Sequence, residues 1–276
     1  MFISQEEFNE IVSKHLKEGD DFYYLLLIKI INNPTRFSGL FRLSNARQKL
    51  LQNITQSNEI KFGDILEEIT TKYIQKLGYT IFDKQLINNK KNLYLSVDQY
   101  FRDKNSIYVV EMKVRDDHDS TKKRGQYENF IQKLDLIKSI HKNIPIKASM
   151  WFVDDKLTKN KNYYLEQMKI NRFDNIELKL YYGAEFFNSL NSNHIWEELK
   201  KHLTYYKKQK RTIEFTVPDF GTSTEILNAL VKLPEKEWTK LNSEKEEYVL
   251  LRDELFSSGN NIELAKQKRL FVDNEK

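Results

Sequence analysis

The sequence predicts an α/β fold in which helices flank a mixed β-sheet, with helical extensions at the N- and C-terminal ends. Three observations support this class. Apolar residues recur at helical spacing from residue 5 to residue 77, and again from Thr222 to about Lys268. Five short runs rich in β-branched and aromatic residues lie between these regions and predict strands. One interval between two of the runs has helical periodicity, which predicts a β-α-β unit.

The first elements are predicted to be helices. Residues 5–32 and 40–56 have apolar residues at helical spacing, and the Asn32-Asn33-Pro34 break separates them. Residues 63–77 repeat the pattern, and Gly78 follows at a position where a left-handed residue commonly ends a helix. We therefore expect a helical N-terminal region and a third helix that leads directly into the first strand.

The central part of the chain is predicted to form the sheet. A helix over residues 124–141 should connect the third and fourth strands by a right-handed crossover, and a short helix should follow Gly183. The predicted strands are Tyr79–Phe82, Leu93–Phe101, Ile107–Val114, Ile146–Val153 and Ile176–Tyr182.

No repeat or low-complexity linker divides the sequence. We divide it into a helical N-terminal region (1–60), an α/β core (61–195) and a basic, mostly helical C-terminal region (196–276). One compact domain that contains all three regions is the simplest arrangement.

The composition favours a globular protein. The 276 residues are 39% hydrophobic and include 17 Phe and 15 Tyr, which is ample for a packed core. The longest apolar run, residues 22–32, is broken by Lys29 and is shorter than the about 20 residues that span a bilayer. The first ten residues are acidic where an export signal would be basic. We therefore expect a cytoplasmic protein with no membrane association.

Cysteine and histidine usage limits the possible chemistry. The chain has no cysteine, which excludes zinc-thiolate sites and cysteine nucleophiles. Its five histidines are scattered and show no HxxxH spacing. A metal, if one is bound, should therefore be a hard ion held by carboxylates.

Two basic clusters suggest an anionic partner. The net charge of +5 is small because 45 basic residues nearly balance 40 acidic ones. Basic residues interleaved with aromatics are typical of nucleic-acid-binding surfaces, although solvated helix faces are an open alternative. The first cluster is Lys122, Lys123 and Arg124, and the second is Lys200, Lys201, His202, Tyr205, Tyr206, Lys207, Lys208, Lys210 and Arg211.

Three residues form a candidate catalytic constellation. Asp98 is predicted in the second strand and Glu111 and Lys113 in the third, with a short turn between the strands that predicts an antiparallel hairpin. Because strand side chains alternate, Glu111 and Lys113 point to one face. Two carboxylates that bind magnesium, with an ammonium that orients or deprotonates water, are what metal-assisted phosphodiester hydrolysis requires.

The neighbouring sequence supports this interpretation. The acidic residue of the E-x-K follows Val109 and Val110 on a buried type of strand, where a charge is costly unless it faces a cleft. Glu67 or Glu68 on the preceding helix could supply a further carboxylate. The segment from Arg115 to Gln126 is dense in side chains that can contact base edges and phosphates.

These residues resemble the PD-(D/E)XK nucleases, and among them the type II restriction endonucleases. The likeness covers roughly residues 60–190 and consists of a helix with glutamate, a strand acid, an E-x-K and the β-α-β unit that follows. The runs EMKVRDDHDSTKKRGQ and YYGAEFFNSL also look like segments of restriction enzymes. The proline that precedes the strand acid in the family is Val97 here, a departure that is common among members and weakens only the search for the motif.

The resemblance implies roles for individual residues. It places the metal ligands on Asp98, Glu111 and the backbone carbonyl of Met112, and it gives Lys113 the water-activating role. It assigns Glu67, in preference to Glu68, as the helix carboxylate. The implied cofactor is Mg²⁺, for which other divalent ions such as Mn²⁺ can substitute.

The same resemblance suggests which side chains contact DNA. Basic residues can donate to guanine edges or phosphates, and aspartates can accept from cytosine amino groups. Asp119 or Ser120 can instead cap the following helix, and His118 can be an ordinary loop residue. The predicted DNA-binding residues are Arg115, Asp117, His118, Asp119, Ser120, Thr121, Lys122, Lys123, Arg124, Gln126, Lys207, Lys208 and Arg211.

The function that the resemblance implies is that of a type II restriction endonuclease, a site-specific deoxyribonuclease that cuts double-stranded DNA and leaves a 5′ phosphate. Cutting both strands calls for two active sites, which favours a homodimer, and the host DNA would need a cognate methyltransferase. Two alternatives stay open: a structure-selective nuclease or junction resolvase of the same superfamily, and a non-catalytic DNA-binding protein.

Overall fold

The computed structural model describes residues 1–16, 20–39, 41–88, 93–171, 173–210 and 217–274. Contacts divide the chain into two units. The first contains Met1–Ile11 and Phe62–Lys210, and the second contains Val12–Lys61 and Arg211–Lys276. Each unit combines segments that are far apart in sequence.

The helices of the described residues are α1 (Gln5–His15), α2 (Asp20–Ile31), α3 (Pro34–Phe37), α4 (Ala46–Lys76), α5 (Ser120–Ile140), α6 (Lys161–Ile170), α7 (Glu185–Ser189), α8 (Asn193–Lys210), α9 (Thr224–Val231), α10 (Glu235–Leu241), α11 (Glu246–Leu255) and α12 (Asn261–Asn274). The strands are β1 (Thr80–Ile81), β2 (Gln85–Asn88), β3 (Leu93–Ser96), β4 (Gln99–Arg102), β5 (Ile107–Lys113), β6 (Ile146–Phe152) and β7 (Ile176–Tyr182).

The first unit is built on a mixed five-stranded sheet of order β1-β4-β5-β6-β7. The strands β1, β4 and β5 pair antiparallel, whereas β5, β6 and β7 pair parallel. The parallel pairing of β5 with β6 follows from the intervening helix α5, which returns the chain to the same end of the sheet. This arrangement confirms the predicted α/β class with a restriction-endonuclease-like core.

The face of the sheet that packs on α5 forms the core of the first unit. Ile107 and Val109 of β5 belong to one cluster with Phe130, Leu134 and Ile137 of α5, and all five are buried. These helix positions recur at spacings of three and four residues, so they share one face of α5. The packing fixes the height and rotation of α5 relative to β5.

The second unit is helical. Buried aliphatic side chains of α2, α4, α9 and α11 form its core, with Phe37 and Phe220 also fully buried. Its four C-terminal helices agree with the helical pattern predicted from Thr222 onwards. None of the helices in the described residues is long and apolar enough to cross a membrane.

Several boundary predictions were wrong. The helices predicted over 40–56 and 63–77 are parts of one helix, α4, which continues through Gly63, while Leu40 lies outside the described residues. Gly63 is tolerated there because a single glycine lowers helix propensity by only about 1 kcal/mol. The region predicted as helical over 5–32 contains two helices, α1 and α2.

The strand predicted over Leu93–Phe101 was also wrong as a single element. It is divided into β3 and β4, and Asp98 lies between them rather than within a strand. The chain bends here because β3 pairs with β2 in a separate two-stranded sheet, whereas β4 joins the main sheet. Sequence periodicity revealed neither β2 nor the helix α6. The helix predicted over 124–141 begins earlier, at Ser120.

Candidate active site

The strand β5 carries two charged side chains at its C-terminal end. Ile107, Val109, Glu111 and Lys113 alternate with residues of the opposite face, so all four point towards α5. The first two are apolar and fill the core, while Glu111 and Lys113 continue the same row. The row therefore passes from a packed interior to a charged site within one strand.

Asp98 approaches this site from the bend before β4. The register pairs Gln99 with Val110, which brings the preceding residue alongside Glu111. Its Oδ2 accepts a hydrogen bond from the backbone N–H of Met112 at 2.7 Å. The carboxylate therefore takes the place of a backbone acceptor at the end of the ladder, and this contact fixes its position.

The Lys113 ammonium lies among three oxygen atoms. Its Nζ is 2.8 Å from Glu111 Oε1, 2.6 Å from the carbonyl oxygen of Met112 and 3.4 Å from Asp98 Oδ2. These oxygens come from the three residues predicted to bind a metal. All three oxygens surround the ammonium of Lys113. Oxygens grouped in this way are also the kind of ligands that a hard cation prefers.

A second lysine, which the sequence analysis did not identify, reaches the site from α5. Lys133 Nζ donates to Glu111 Oε2 at 2.6 Å, and the two side chains are only 6% and 5% exposed. The two oxygens of Glu111 are therefore held by different lysines. Asp98 and Lys113 are more open, at 20% and 26% exposure, so the site faces solvent on their side.

Burial and charge shift the pKa values of the site residues. Burial and the nearby Glu111 raise the pKa of Asp98 to about 6, against the opposing effect of the two lysines. Burial alone would lower the pKa of Lys113, but the negative charges of Glu111 and Asp98 outweigh burial and raise it. At neutral pH, Lys113 is therefore an ammonium and Asp98 is mostly an anion.

The raised pKa of Asp98 predicts a pH-dependent stability in the absence of divalent ions. The folded state binds the proton of Asp98 more tightly than the unfolded chain does. Protonation of Asp98 therefore contributes its full stabilisation below about pH 4, and this stabilisation is lost as the pH rises through about 6. Wild type should therefore lose stability relative to Asp98→Asn over this range. Urea unfolding in EDTA at several pH values measures the free energy of unfolding of both proteins. A wild-type value that stays constant or rises relative to that of Asp98→Asn would contradict the raised pKa.

The donor atoms fit a hard divalent cation. Magnesium is commonly bound by one or two carboxylates together with substrate phosphates, and the site offers two carboxylates and a backbone carbonyl. The described residues contain no group of three His, Cys, Asp or Glu side chains that could hold an ion. The possible protein ligands are therefore two carboxylates and one backbone carbonyl.

Glu67, the predicted helix carboxylate, forms an ion pair with Lys84. Its Oε1 lies 2.6 Å from Lys84 Nζ. The backbone carbonyl of Glu67 accepts from the buried amide of Gln99, which also donates to Met112 Sδ. The helix thus connects to the site through Gln99 and Met112, from the face of β5 opposite Glu111.

The segment after β5 is anchored by a buried aspartate. Asp116 is fully buried, and its Oδ1 accepts from Asn160 Nδ2 at 2.8 Å. Its Oδ2 accepts from the Asn160 backbone N–H at 2.9 Å and from the Tyr182 hydroxyl at 2.8 Å. Asn160 also donates to the carbonyl oxygen of His118. The loop between β5 and α5 is thereby attached to the ends of β7 and α6.

The helix α5 begins inside the predicted DNA-binding segment. Asp119 is its N-cap and accepts from the backbone N–H of Lys122 at 2.8 Å. The structure therefore contains the helix cap that the sequence offered as the alternative role of Asp119. Arg115 and Asp117 are exposed in the loop, and Ser120, Thr121, Lys122 and Arg124 are exposed in the first turns of α5.

Two other residues of this segment contact aromatic side chains. Lys123 Nζ lies 4.6 Å from the ring centroid of Tyr163, a cation–π contact. Gln126 Oε1 accepts from the hydroxyl of Tyr164 at 3.1 Å. Both tyrosines belong to α6, so this helix supports the start of α5.

The second basic cluster lies largely on α8. Lys207 and Lys208 are exposed on this helix, whereas His202 is buried and stacks on Phe8. Arg211 lies outside the described residues. Part of the aromatic and histidine content of this cluster therefore serves packing within the first unit.

Lys133, Asn160 and Tyr182 are site or anchor residues that the sequence analysis did not single out. A lysine at the helix position between Phe130 and Leu134, on the buried face of α5, is an unusual feature that periodicity alone could have flagged. Asn160 and Tyr182 carry no comparable signal, because only the fold brings them to Asp116.

The comparisons with known proteins identify a family. The family model described as "Type II restriction endonuclease, HinfI" matches residues 4–92 and 77–207. No curated protein and no solved structure matches the chain. The match spans most of the chain and includes Asp98, Glu111 and Lys113. The chain therefore belongs to the HinfI family of type II restriction endonucleases, site-specific deoxyribonucleases of the PD-(D/E)XK class.

Proposed function

We propose that this chain hydrolyses phosphodiester bonds in double-stranded DNA at a specific sequence, in a reaction that depends on Mg²⁺. The observation that carries the proposal is that oxygens of Asp98, Glu111 and the Met112 carbonyl gather around the Lys113 ammonium, so the same three oxygens are close enough together to hold a cation. Family membership supplies the substrate class and the type of reaction.

Asp98, Glu111 and the Met112 carbonyl would hold the divalent ion, with Mn²⁺ as a possible substitute. A bound divalent ion lowers the pKa of a coordinated water and neutralises charge on the phosphoryl group. The surrounding groups add electrostatic stabilisation in a partly desolvated site, where it is stronger than in water.

Lys113 contributes hydrogen bonds and positive charge. In this structure it is an ammonium, so it can orient an attacking water and stabilise negative charge on the scissile phosphate. Its exposure of 26% leaves it within reach of a substrate. We propose that water attacks in line with the leaving oxygen and that the product carries a 5′ phosphate.

The loop and helix after β5 are proposed to recognise the DNA. They leave the active site directly and present exposed donors and acceptors, including Arg115, Asp117, Lys122 and Arg124. Arginine and lysine can read guanine edges, and aspartate can read cytosine amino groups. The proposed contacts also include His118, Asp119, Ser120, Thr121, Lys123, Gln126, Lys207, Lys208 and Arg211. Glu67 is proposed as an accessory carboxylate that keeps its ion pair with Lys84 and does not bind the ion.

The proposed assembly is a homodimer that acts in the cytoplasm. Two strands must be cut, and two identical subunits on a twofold-symmetric sequence supply two active sites. A cognate DNA methyltransferase is expected in the same system, because an unprotected host genome would be cleaved.

A plasmid digest tests the proposal. Wild type with Mg²⁺ should give discrete fragments that end at one sequence, and EDTA should prevent their formation. Glu111→Ala and Lys113→Ala should each abolish the fragments, because one removes a carboxylate ligand and the other removes the ammonium. Circular dichroism should show that both variants are folded.

Three results would contradict the proposal. Absence of cleavage by wild type across several DNAs and divalent ions would favour a non-catalytic DNA-binding protein. Preference for branched DNA over linear duplex would favour a structure-selective nuclease. Fragments that persist in both variants would place the chemistry elsewhere in the chain.

A further inference from the structure

Glu111 is held from two sides, and the two sides differ. Its Oε1 is shared with Lys113 near Asp98, on the more exposed side of the site, whereas its Oε2 binds Lys133 in the interior. The Lys133 side chain is only 6% exposed, and it is located on α5, whose position is fixed by packing against β5. Separation of Lys133 from Glu111 would leave a buried charge without its partner, which is energetically costly, so the pair should stay together.

We propose that Lys133 is a positioning residue that occupies one oxygen of Glu111 and thereby limits the active site to a single divalent cation. The inference rests on the proposed function, since it concerns the ion used for DNA cleavage. It assigns Oε1 of Glu111, with Asp98 and the Met112 carbonyl, to that ion. It reserves Oε2 for the lysine.

The charge balance of the site supports a single ion. Asp98 and Glu111 contribute two negative charges, and Lys113 and Lys133 contribute two positive charges, so the four side chains are neutral together. One divalent ion and one scissile phosphate would leave a small positive charge. A second divalent ion would add two more positive charges beside a buried ammonium that cannot move away.

The available ligands lead to the same conclusion. Paired divalent ions in nucleases lie about 3.5–4 Å apart and need enough oxygen ligands to hold both. Here one oxygen of Glu111 is already bound to Lys133, and Asp98 Oδ2 accepts from the Met112 N–H. The described residues contain no third acidic or histidine side chain grouped with these two carboxylates.

The test is a Mn²⁺ titration of the metal-free chain, followed by electron paramagnetic resonance of the free ion. Wild type should bind one Mn²⁺ per chain. Lys133→Met removes the charge and the donor at similar volume, so Oε2 becomes available and the stoichiometry should rise towards two. Lys133→Arg keeps the charge and the donor and should bind one.

Lys138→Met is the matched control. Lys138 lies on the same helix, but its ammonium faces the Phe173 ring at 5.7 Å. Its replacement should leave the stoichiometry at one. Circular dichroism should verify that each variant is folded, and two ions or none bound by wild type would still overturn the inference if Lys133→Met does not fold.

Several outcomes would overturn the inference. They are two ions or none bound by wild type, an unchanged titration for folded Lys133→Met, and complete loss of binding by that variant. Plasmid cleavage by the same wild-type preparation tests the proposed function separately. Cleavage with two bound ions would remove only the single-ion inference, whereas absence of cleavage would remove the proposed function.

Discussion

Asp98→Asn is expected to cleave plasmid DNA at least about 100-fold more slowly than wild type, since removal of one preorganised electrostatic group from an active site commonly costs that much. The substitution removes half of the negative charge that the two carboxylates offer to a cation. It preserves an oxygen that can accept the Met112 N–H, so the bend before β4 should be retained. Initial rates of supercoiled plasmid cleavage in Mg²⁺ measure the effect.

The control for this variant is Asp135→Asn. Asp135 is an exposed aspartate on α5, whereas Glu111 and Lys133 of the charged site are buried. Its substitution should leave the rate within about twofold of wild type, because exposed charges away from a site have little effect. If Asp98→Asn retains the wild-type rate and fold, Asp98 does not bind the ion.

Asp116→Ala should destabilise the first unit by roughly 3 to 5 kcal/mol, because each buried donor left without its acceptor costs about 1–3 kcal/mol. The donors concerned are the Asn160 backbone N–H, the Asn160 side-chain amide and the Tyr182 hydroxyl. Urea unfolding followed by tryptophan fluorescence measures the change. Trp151 and Trp196 report on the first unit and Trp238 on the second.

The adjacent Asp117→Ala is the matched comparison. Asp117 is 46% exposed, so its removal should change the stability by less than about 0.5 kcal/mol. Equal destabilisation by both substitutions would show that the buried hydrogen bonds of Asp116 are not the cause. Loss of the Asp116 contacts should also loosen the loop that precedes α5, with weaker DNA binding as a consequence.

Strand periodicity was enough to predict that Glu111 and Lys113 share one face of β5. The run from Ile107 to Lys113 is apolar and β-branched until its end, and alternation places Glu111 and Lys113 on one face whatever the neighbouring strands are. The strands β6 and β7 were found for the same reason, since their residues are mostly apolar or aromatic. Local rules suffice where one element contains all the relevant residues.

Boundaries and bends were predicted less well. Asp98 was expected inside a strand, because the residues on both sides of it have high strand propensity. Only the pairing of β3 with β2, and of β4 with β5, shows that the chain leaves one sheet and joins another at this point. The continuity of α4 through Gly63 likewise depends on packing, which outweighs a weak local preference.

The sequence by itself determined the α/β class, the hairpin that precedes α5, and the shared face of Glu111 and Lys113, because these depend on residue spacing within one or two neighbouring elements. The tertiary structure decided that Lys133 holds the second oxygen of Glu111 and that Asn160 and Tyr182 hold Asp116. These partners are 22 to 66 residues apart in sequence. Hydrogen bonds and ion pairs between such distant residues form only when sheet order and helix packing bring the residues together. Residue spacing does not predict that order or that packing.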